Sequence, residues 1–62
     1  MYITKDDLGI VRVWKEQPVK RLIRDNKYIW SGYRESGTDV TSKLTQQEID
    51  GLTTNYALSV LF

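Results

Sequence analysis

Hydrophobic and polar residues alternate in three segments of the chain, and this alternation predicts β-strands. Residues 10–14, 19–24 and 27–33 are rich in β-branched and aromatic side chains. Such side chains suit a pleated surface that is buried on one side. A shorter strand is predicted at residues 2–4, and the uncharged segment 56–62 is predicted as a final strand with a strongly apolar face.

A tight turn is predicted between the second and third of these segments. Asp25 and Asn26 lie there, and both residue types tolerate positive φ, so a two-residue primed hairpin turn is expected. A turn of this kind fixes the register of the strands that it joins. The register that follows places Arg21 opposite Trp30, Leu22 opposite Ile29 and Ile23 opposite Tyr28.

Another turn is predicted at Asp6, Asp7 and Gly9. Aspartate side chains bond nearby backbone groups, and glycine adopts a left-handed conformation at little cost. The adjacent carboxylates could also bind a hard cation such as Mg²⁺. Because no third or fourth oxygen ligand lies nearby in the sequence, the turn is the stronger interpretation and no metal site is predicted.

One short helix is predicted in the C-terminal half. Thr45 and Glu48 have the spacing of a capping box, and Leu44 and Ile49 have that of a hydrophobic staple. The helix is expected to begin after Thr45 and to cover one face of the sheet, and Gly51 is a candidate for its end. The predicted fold class is therefore α+β, a single domain over residues 1–62 with a small antiparallel sheet of four to five strands and one packed helix.

The final strand needs a partner. An unpaired strand without charge or proline is an aggregation hazard. It therefore pairs either within the sheet of its own chain or with the same strand of a second copy. The second alternative predicts a homodimer whose interface consists of Tyr56, Leu58, Val60 and Phe62.

The composition argues against catalysis. The chain has neither cysteine nor histidine, which removes the usual nucleophile, the usual general base and most transition-metal ligands. We expect no enzyme activity and no cofactor. We also expect a cytoplasmic protein, because neither a signal peptide nor a membrane-spanning segment is predicted.

Charge is distributed unevenly along the chain. The net charge is +1, but residues 9–34 hold seven basic and two acidic residues, which is +5, and the remainder carries −4. A basic surface attracts phosphate backbones or acidic protein surfaces, although solvated strand residues produce the same skew. Trp14 and Trp30 lie in the basic region, either as the largest core residues or as contact residues.

The opening segment also carries a resemblance. Residues 2–19 read YITKDDLGIVRVWKEQPV, which resembles short bacterial and prophage-type proteins. Those proteins have a tyrosine-led strand, an aspartate-glycine turn, a hydrophobic-aromatic strand and a proline, and a tryptophan-bearing strand follows later. The resemblance implies no catalytic residue. It implies a phage or mobile-element context, in which short chains often bind and block a host protein.

Two functions remain open after these observations. The first is a non-catalytic protein-binding module, an inhibitor or adaptor of a host protein, because Trp, Tyr and Arg are enriched at interface hot spots. The second is nucleic-acid binding through a basic, aromatic sheet face, although a net charge of +1 is low for that class. For either function, the predicted contact residues are Arg12, Trp14, Arg21, Tyr28, Trp30, Tyr33 and Arg34.

Overall fold

The structure is a computed structural model that describes residues 1–60. It has the predicted α+β class, with six short strands, one short α-helix and 3₁₀ turns at Arg24–Asn26 and Thr41–Lys43. The strands and the α-helix are β1 (Tyr2–Lys5), β2 (Val11–Trp14), β3 (Val19–Leu22), β4 (Tyr28–Ser31), β5 (Thr38–Asp39), α1 (Gln46–Asp50) and β6 (Leu58–Ser59).

The strands form two antiparallel sheets rather than the one sheet expected. The larger sheet has the order β5-β2-β1-β6, and β3 and β4 form a separate hairpin. The reason lies at the outer edge of β2, where Arg12 pairs with Asp39 and Val13 pairs with Thr38. Because β5 occupies this edge, β3 does not join it. The two-residue strand β5 lies in a segment for which the sequence predicts no strand.

The C-terminal strand pairs within the chain. Ile3 lies opposite Leu58 and Tyr2 lies opposite Ser59, and the Val60 N–H donates to the Met1 carbonyl at 2.9 Å. Of the two alternatives for the final strand, the structure therefore shows pairing within the chain. The strand β6 is also shorter than the predicted strand. Phe62, one of the predicted dimer contacts, lies outside the described residues.

The turn of the β3–β4 hairpin has the predicted conformation. Asp25 and Asn26 have φ angles of 59° and 58°, and the Lys27 N–H donates to the Arg24 carbonyl at 3.1 Å. The Lys27 carbonyl, however, accepts from Ile23 at 2.7 Å. Ile23 and Arg24 therefore both oppose Lys27, which is a β-bulge.

This bulge makes the predicted register wrong by one residue. The observed pairs are Val19 with Ser31, Lys20 with Trp30, Arg21 with Ile29 and Leu22 with Tyr28. A shift of one residue moves every side chain of a strand to the opposite face. Lys20 rather than Arg21 therefore shares a face with Trp30, and the Lys20 ammonium lies 4.7 Å from the centroid of the Tyr28 ring.

Both tryptophans belong to the interior. Trp14 is 1% exposed and Trp30 is 8% exposed, which agrees with their interpretation as the largest core residues. The indole N–H of Trp14 donates to the Thr4 hydroxyl at 2.9 Å, and that of Trp30 donates to the Lys5 carbonyl at 3.1 Å. Trp30 thereby fastens the hairpin to β1.

The helix begins with the predicted capping box. The Thr45 hydroxyl accepts from the Glu48 N–H at 3.2 Å, and the Thr45 N–H donates to the Glu48 carboxylate at 3.0 Å. The helix ends before Gly51, and Ile49 is its buried residue. The Lys5 ammonium donates to the Ile49 carbonyl at 3.0 Å, which ties α1 to β1.

The capping box predicts a pH-dependent stability difference. The pKa of Glu48 lies below its ordinary value, chiefly because the Thr45 N–H donates to the carboxylate. A lowered pKa in the folded state stabilises the fold above the unfolded pKa of 4.5, and this contribution disappears as pH falls through the folded pKa. We expect Glu48→Gln to be less stable than wild type at pH 7, with the difference narrowing below pH 4.5.

Urea denaturation of both proteins at pH 7, 5, 4 and 3 measures this difference in unfolding free energy. Glu16→Gln, an exposed acid outside the helix, is the matched control. If the difference in unfolding free energy between wild type and Glu48→Gln stayed constant over the whole pH range, the lowered pKa of Glu48 would not be the cause of that difference.

Candidate functional site

The candidate contact surface is the β3–β4 hairpin. Every residue of β3 is exposed, including Val19 at 60% and Leu22 at 57%. Ile23, in the bulge that follows, is exposed as well. A strand that buries neither face has aliphatic side chains available for contact, so this surface is apolar as well as basic.

The hairpin is fixed to the body of the protein on the side of β4. The Asp7 N–H donates to the Tyr28 carbonyl at 3.1 Å, and the Tyr28 N–H donates to the Asp7 carboxylate at 2.7 Å. The Trp30 indole supplies the second attachment. The outer side of β3 is thus presented by a braced element rather than by a free loop.

The hairpin is strongly positive. Residues 19–28 contain Lys20, Arg21, Arg24 and Lys27 against the single acid Asp25, a net charge of +3. Within residues 1–60, the one ion pair joins Arg12 to Asp6 at 3.4 Å. The hairpin cations therefore have no carboxylate partner in the described part of the chain, and their charge faces solvent.

The structure distributes the predicted contact residues over four environments, of which the one around Arg12 in β2 is described below. Arg21 and exposed Tyr28 lie on the hairpin, Tyr33 and Arg34 lie on the loop between β4 and β5, and the two tryptophans are buried. Trp14 and Trp30 are therefore left out of the contact surface.

Arg12 is half-buried and serves the fold. It pairs with Asp6 and lies beside Asp39 across the strand pair. The pKa of Asp39 is below its ordinary value, chiefly because the Thr41 N–H donates to the carboxylate, and Arg12 adds to the effect. Arg12 thus has carboxylate partners within the chain, whereas the hairpin cations form no ion pair with residues 1–60.

The loop after β4 offers a second exposed aromatic. Tyr33 is 89% exposed, and the Arg34 guanidinium lies 5.8 Å from the centroid of its ring. A ring and a cation so placed can stack on a base or on another guanidinium.

Two of the predicted dimer residues, Tyr56 and Leu58, line a recess beside β6. This recess has a volume of about 140 Å³, and Ile3, Leu52, Tyr56 and Leu58 are among its lining residues. Tyr56 and Leu58 are exposed and Val60 is half-buried. The outer side of β6 is the edge of the larger sheet.

Six exposed residues of the hairpin surface are not among the predicted contacts: Lys27 and, on or beside β3, Val19, Lys20, Leu22, Ile23 and Arg24. A signal for those on or beside β3 exists in the sequence, because basic residues occupy both alternating positions of residues 19–24 and leave neither face apolar. A strand with this pattern has no face to bury, which is the property of an exposed edge.

Asp6 acts as a turn residue, whereas the side chain of Asp7 bonds the hairpin. The Asp6 carboxylate accepts from the N–H groups of Leu8 at 2.9 Å and Ile10 at 3.0 Å, and Asp7 accepts from Tyr28. Over the described range 1–60, no group of three or more His, Cys, Asp or Glu side chains is placed to hold a metal ion.

Residues 1–60 also contain no helix with the length and apolar character that a membrane crossing requires. Comparison of the whole chain with protein-family models, with curated proteins and with solved structures finds no match.

Proposed function

We propose that this chain is a non-catalytic protein-binding module whose contact surface is the β3–β4 hairpin. The observation that carries the proposal is the combination, on one braced element, of exposed aliphatic side chains and cations that have no carboxylate partner within residues 1–60. Exposed aliphatics favour a partner with apolar side chains of its own. Arg and Tyr, which the hairpin contributes through Arg21 and Tyr28, are frequent at interface hot spots.

The partner in this proposal is a host protein, and the chain acts on it as an inhibitor or adaptor in the cytoplasm. The resemblance of residues 2–19 to prophage-type proteins supports this setting. The absence of histidine and cysteine from the sequence supports a role in binding rather than in catalysis.

Nucleic-acid binding is the second candidate. The observation that favours it is Tyr33, which is 89% exposed with the Arg34 guanidinium beside its ring, on the same chain as the basic hairpin. A base could stack on this ring while the hairpin cations meet phosphates.

Charge reversal on β3 tests the proposal. We expect Lys20→Glu combined with Arg21→Glu to abolish capture of a partner from bacterial lysate, because both side chains are exposed and reversal turns attraction into repulsion. Stability should change by no more than about 0.5 kcal/mol, as for other surface substitutions. The measurement is affinity capture from nuclease-treated and untreated lysate, with captured proteins identified by mass spectrometry.

The matched control is Lys15→Glu combined with Lys43→Glu, which makes the same charge change at two exposed lysines outside the hairpin. Capture that survives nuclease and the control but not the hairpin variant supports protein binding. Capture that nuclease removes would assign the chain to nucleic acid instead, and capture unaffected by the hairpin variant would contradict the assigned surface.

We also propose a homodimer through the open side of β6, with Tyr56, Leu58, Val60 and Phe62 as its contacts. Exposed apolar residues on a sheet edge favour pairing with another edge, and small domains gain stability by associating. We expect light scattering to give twice the chain mass for wild type and the single mass for Leu58→Lys. Leu8→Lys, which changes an exposed leucine in the first turn, should remain dimeric, and a monomeric wild type would contradict the dimer.

A further inference from the structure

The outer side of β3 carries backbone groups that are available for hydrogen bonding. In an antiparallel pair of strands, the backbone N–H and C=O groups of opposite residues alternate: one pair of residues bonds each other, and the next pair points its groups away from the partner strand. The backbone N–H and C=O groups of Tyr28 bond Asp7 on the far side of β4. The backbone groups of its partner Leu22 therefore point away from β4 as well. By the same alternation, the backbone N–H and C=O groups of Lys20 point outward, while those of Val19 and Arg21 bond β4 across the hairpin.

We propose that this edge binds an extended acidic segment of a protein partner by strand addition. The inference rests on the protein-binding function proposed above, and it adds the binding mode and the chemistry of the ligand. A strand placed along β3 would satisfy the N–H and C=O groups of Lys20 and Leu22, since no group in residues 1–60 bonds the outer side of this strand. Backbone bonds of this kind supply affinity, and side chains supply specificity.

The side chains of β3 define the sequence of the ligand. Residues 19–22 read apolar, basic, basic, apolar. Directly opposite residues on neighbouring strands interact, and opposite charges there are favourable. The ligand therefore has two successive carboxylates flanked by aliphatic residues. Because this pattern reads the same in both directions, it applies to a parallel or an antiparallel strand.

A second copy of the chain fits this edge poorly. Pairing β3 with another β3 would bring Lys20 and Arg21 close to the same two cations of the other copy, and like charges directly opposite each other are destabilising. Positive charge on an edge is a common protection against such self-association. The positive charge of this edge therefore favours pairing with an acidic strand and disfavours pairing with β3 of a second copy.

A nucleic acid also fits this edge less well than a peptide. Phosphates accept hydrogen bonds but donate none, so the outward carbonyls of Lys20 and Leu22 would face negative oxygens. The exposed side chains of Val19 and Leu22 would find no aliphatic partner on a phosphate backbone. An acidic peptide strand satisfies the donors, the acceptors, the charges and the apolar side chains together.

The first test uses an acetylated, amidated peptide of sequence TTVEEVTT and ¹⁵N-labelled protein. Nuclear magnetic resonance titration should shift the amide signals of Val19–Leu22. The Lys20 and Leu22 amides should exchange rapidly in the free protein and slowly with peptide, whereas the Arg21 amide should be protected in both. The control peptide TTVKKVTT should bind at least about tenfold more weakly.

The second test removes one outward donor by total chemical synthesis of the 62-residue chain. N-methylation of Leu22 keeps its side chain and the β3–β4 ladder but blocks the outer edge, so TTVEEVTT should bind about tenfold more weakly or not at all. N-methylation of Asp39 is the matched control. Its amide faces outward on β5, because the neighbouring Val40 N–H donates inward to the Val11 carbonyl.

Shifts along β3 that Leu22 methylation removes and Asp39 methylation leaves would support strand addition. No binding of TTVEEVTT at millimolar concentration, equal binding of the two peptides, or binding that survives Leu22 methylation would overturn it. Binding of oligothymidylate in place of the peptide would overturn it in favour of nucleic acid. If host-protein capture depends on Lys20 and Arg21 but survives Leu22 methylation, strand addition fails and the protein-binding function stands.

Discussion

Replacing Trp14 with alanine is expected to leave most of the chain unfolded at 25 °C. Trp14 is 1% exposed, and removing a buried tryptophan side chain costs about 3–5 kcal/mol. In a chain of 62 residues, a single hydrophobic core rarely supplies more than about 3–5 kcal/mol of stability. The loss is comparable to the whole, because only Val11, Trp30 and Ile49 remain as buried hydrophobic residues within the described range 1–60.

Far-ultraviolet circular dichroism during heating and in urea measures this loss. Tyr33→Ala removes an aromatic side chain that is 89% exposed and should leave the melting temperature nearly unchanged. Thr4→Val separates the hydrogen bond from the packing, since the Thr4 hydroxyl accepts from the Trp14 indole, and should cost about 1–2 kcal/mol. A Trp14→Ala protein that melts cooperatively near the wild-type temperature would show that the ring is dispensable.

The second large effect is expected from Gly32→Ala. A Cβ atom at this position would overlap the Glu35 carbonyl oxygen and lie 2.9 Å from Cζ3 of the Trp14 ring. Overpacking of this kind costs about 1–3 kcal/mol, and more where backbone must move. We expect the variant to be destabilised by at least about 2 kcal/mol, because the obstructing atoms are a main-chain oxygen and a buried ring.

Gly51→Ala is the matched control and should change stability in the opposite direction. Gly51 has φ −77° and ψ −10°, a right-handed conformation that alanine adopts freely, and no atom lies closer than 3.6 Å to its Cβ position. Alanine restricts the unfolded chain, which should stabilise the protein by about 0.4–1 kcal/mol. Urea midpoints of the two variants on the same side of the wild-type value would contradict this account of Gly32.

Features fixed by residues close in sequence could be predicted. The capping box needs only Thr45 and Glu48, which bond each other across one turn. The primed turn needs only Asp25 and Asn26, whose side chains tolerate the left-handed conformation. The sharp bend at Asp6 follows from its bonds to Leu8 and Ile10. Each of these is decided within about five residues of chain.

Two kinds of feature could not be predicted: a bulge that no residue pattern marks, and pairings that are decided between distant segments. The bulge at Ile23 shifts the register by one residue, and no local pattern marks it. β5 exists because Thr38 and Asp39 lie along β2, a placement that the two residues alone do not encode. β3 stays outside the larger sheet because β5 occupies the outer edge of β2.

The residues of the candidate site could be predicted only in part, because which side chains are exposed also depends on contacts between distant segments. Arg21, Tyr28, Tyr33 and Arg34 lie on exposed segments, as their residue types suggested. The tryptophans could be assigned to core or contact only once the docking of the hairpin on β1 was known. The shifted register then replaced the expected pairing of Arg21 and Trp30 by the contact of Lys20 with Tyr28.

The two sheets hold one tryptophan each, Trp14 in β2 and Trp30 in β4, and this division gives each sheet its own fluorophore. Both indoles are shielded from water, so release of either sheet should shift the emission of its ring to longer wavelength. A Trp14→Phe protein would then report on the hairpin through Trp30 alone. Such a signal would reveal whether the hairpin opens independently of the remaining sheet or in the same cooperative step.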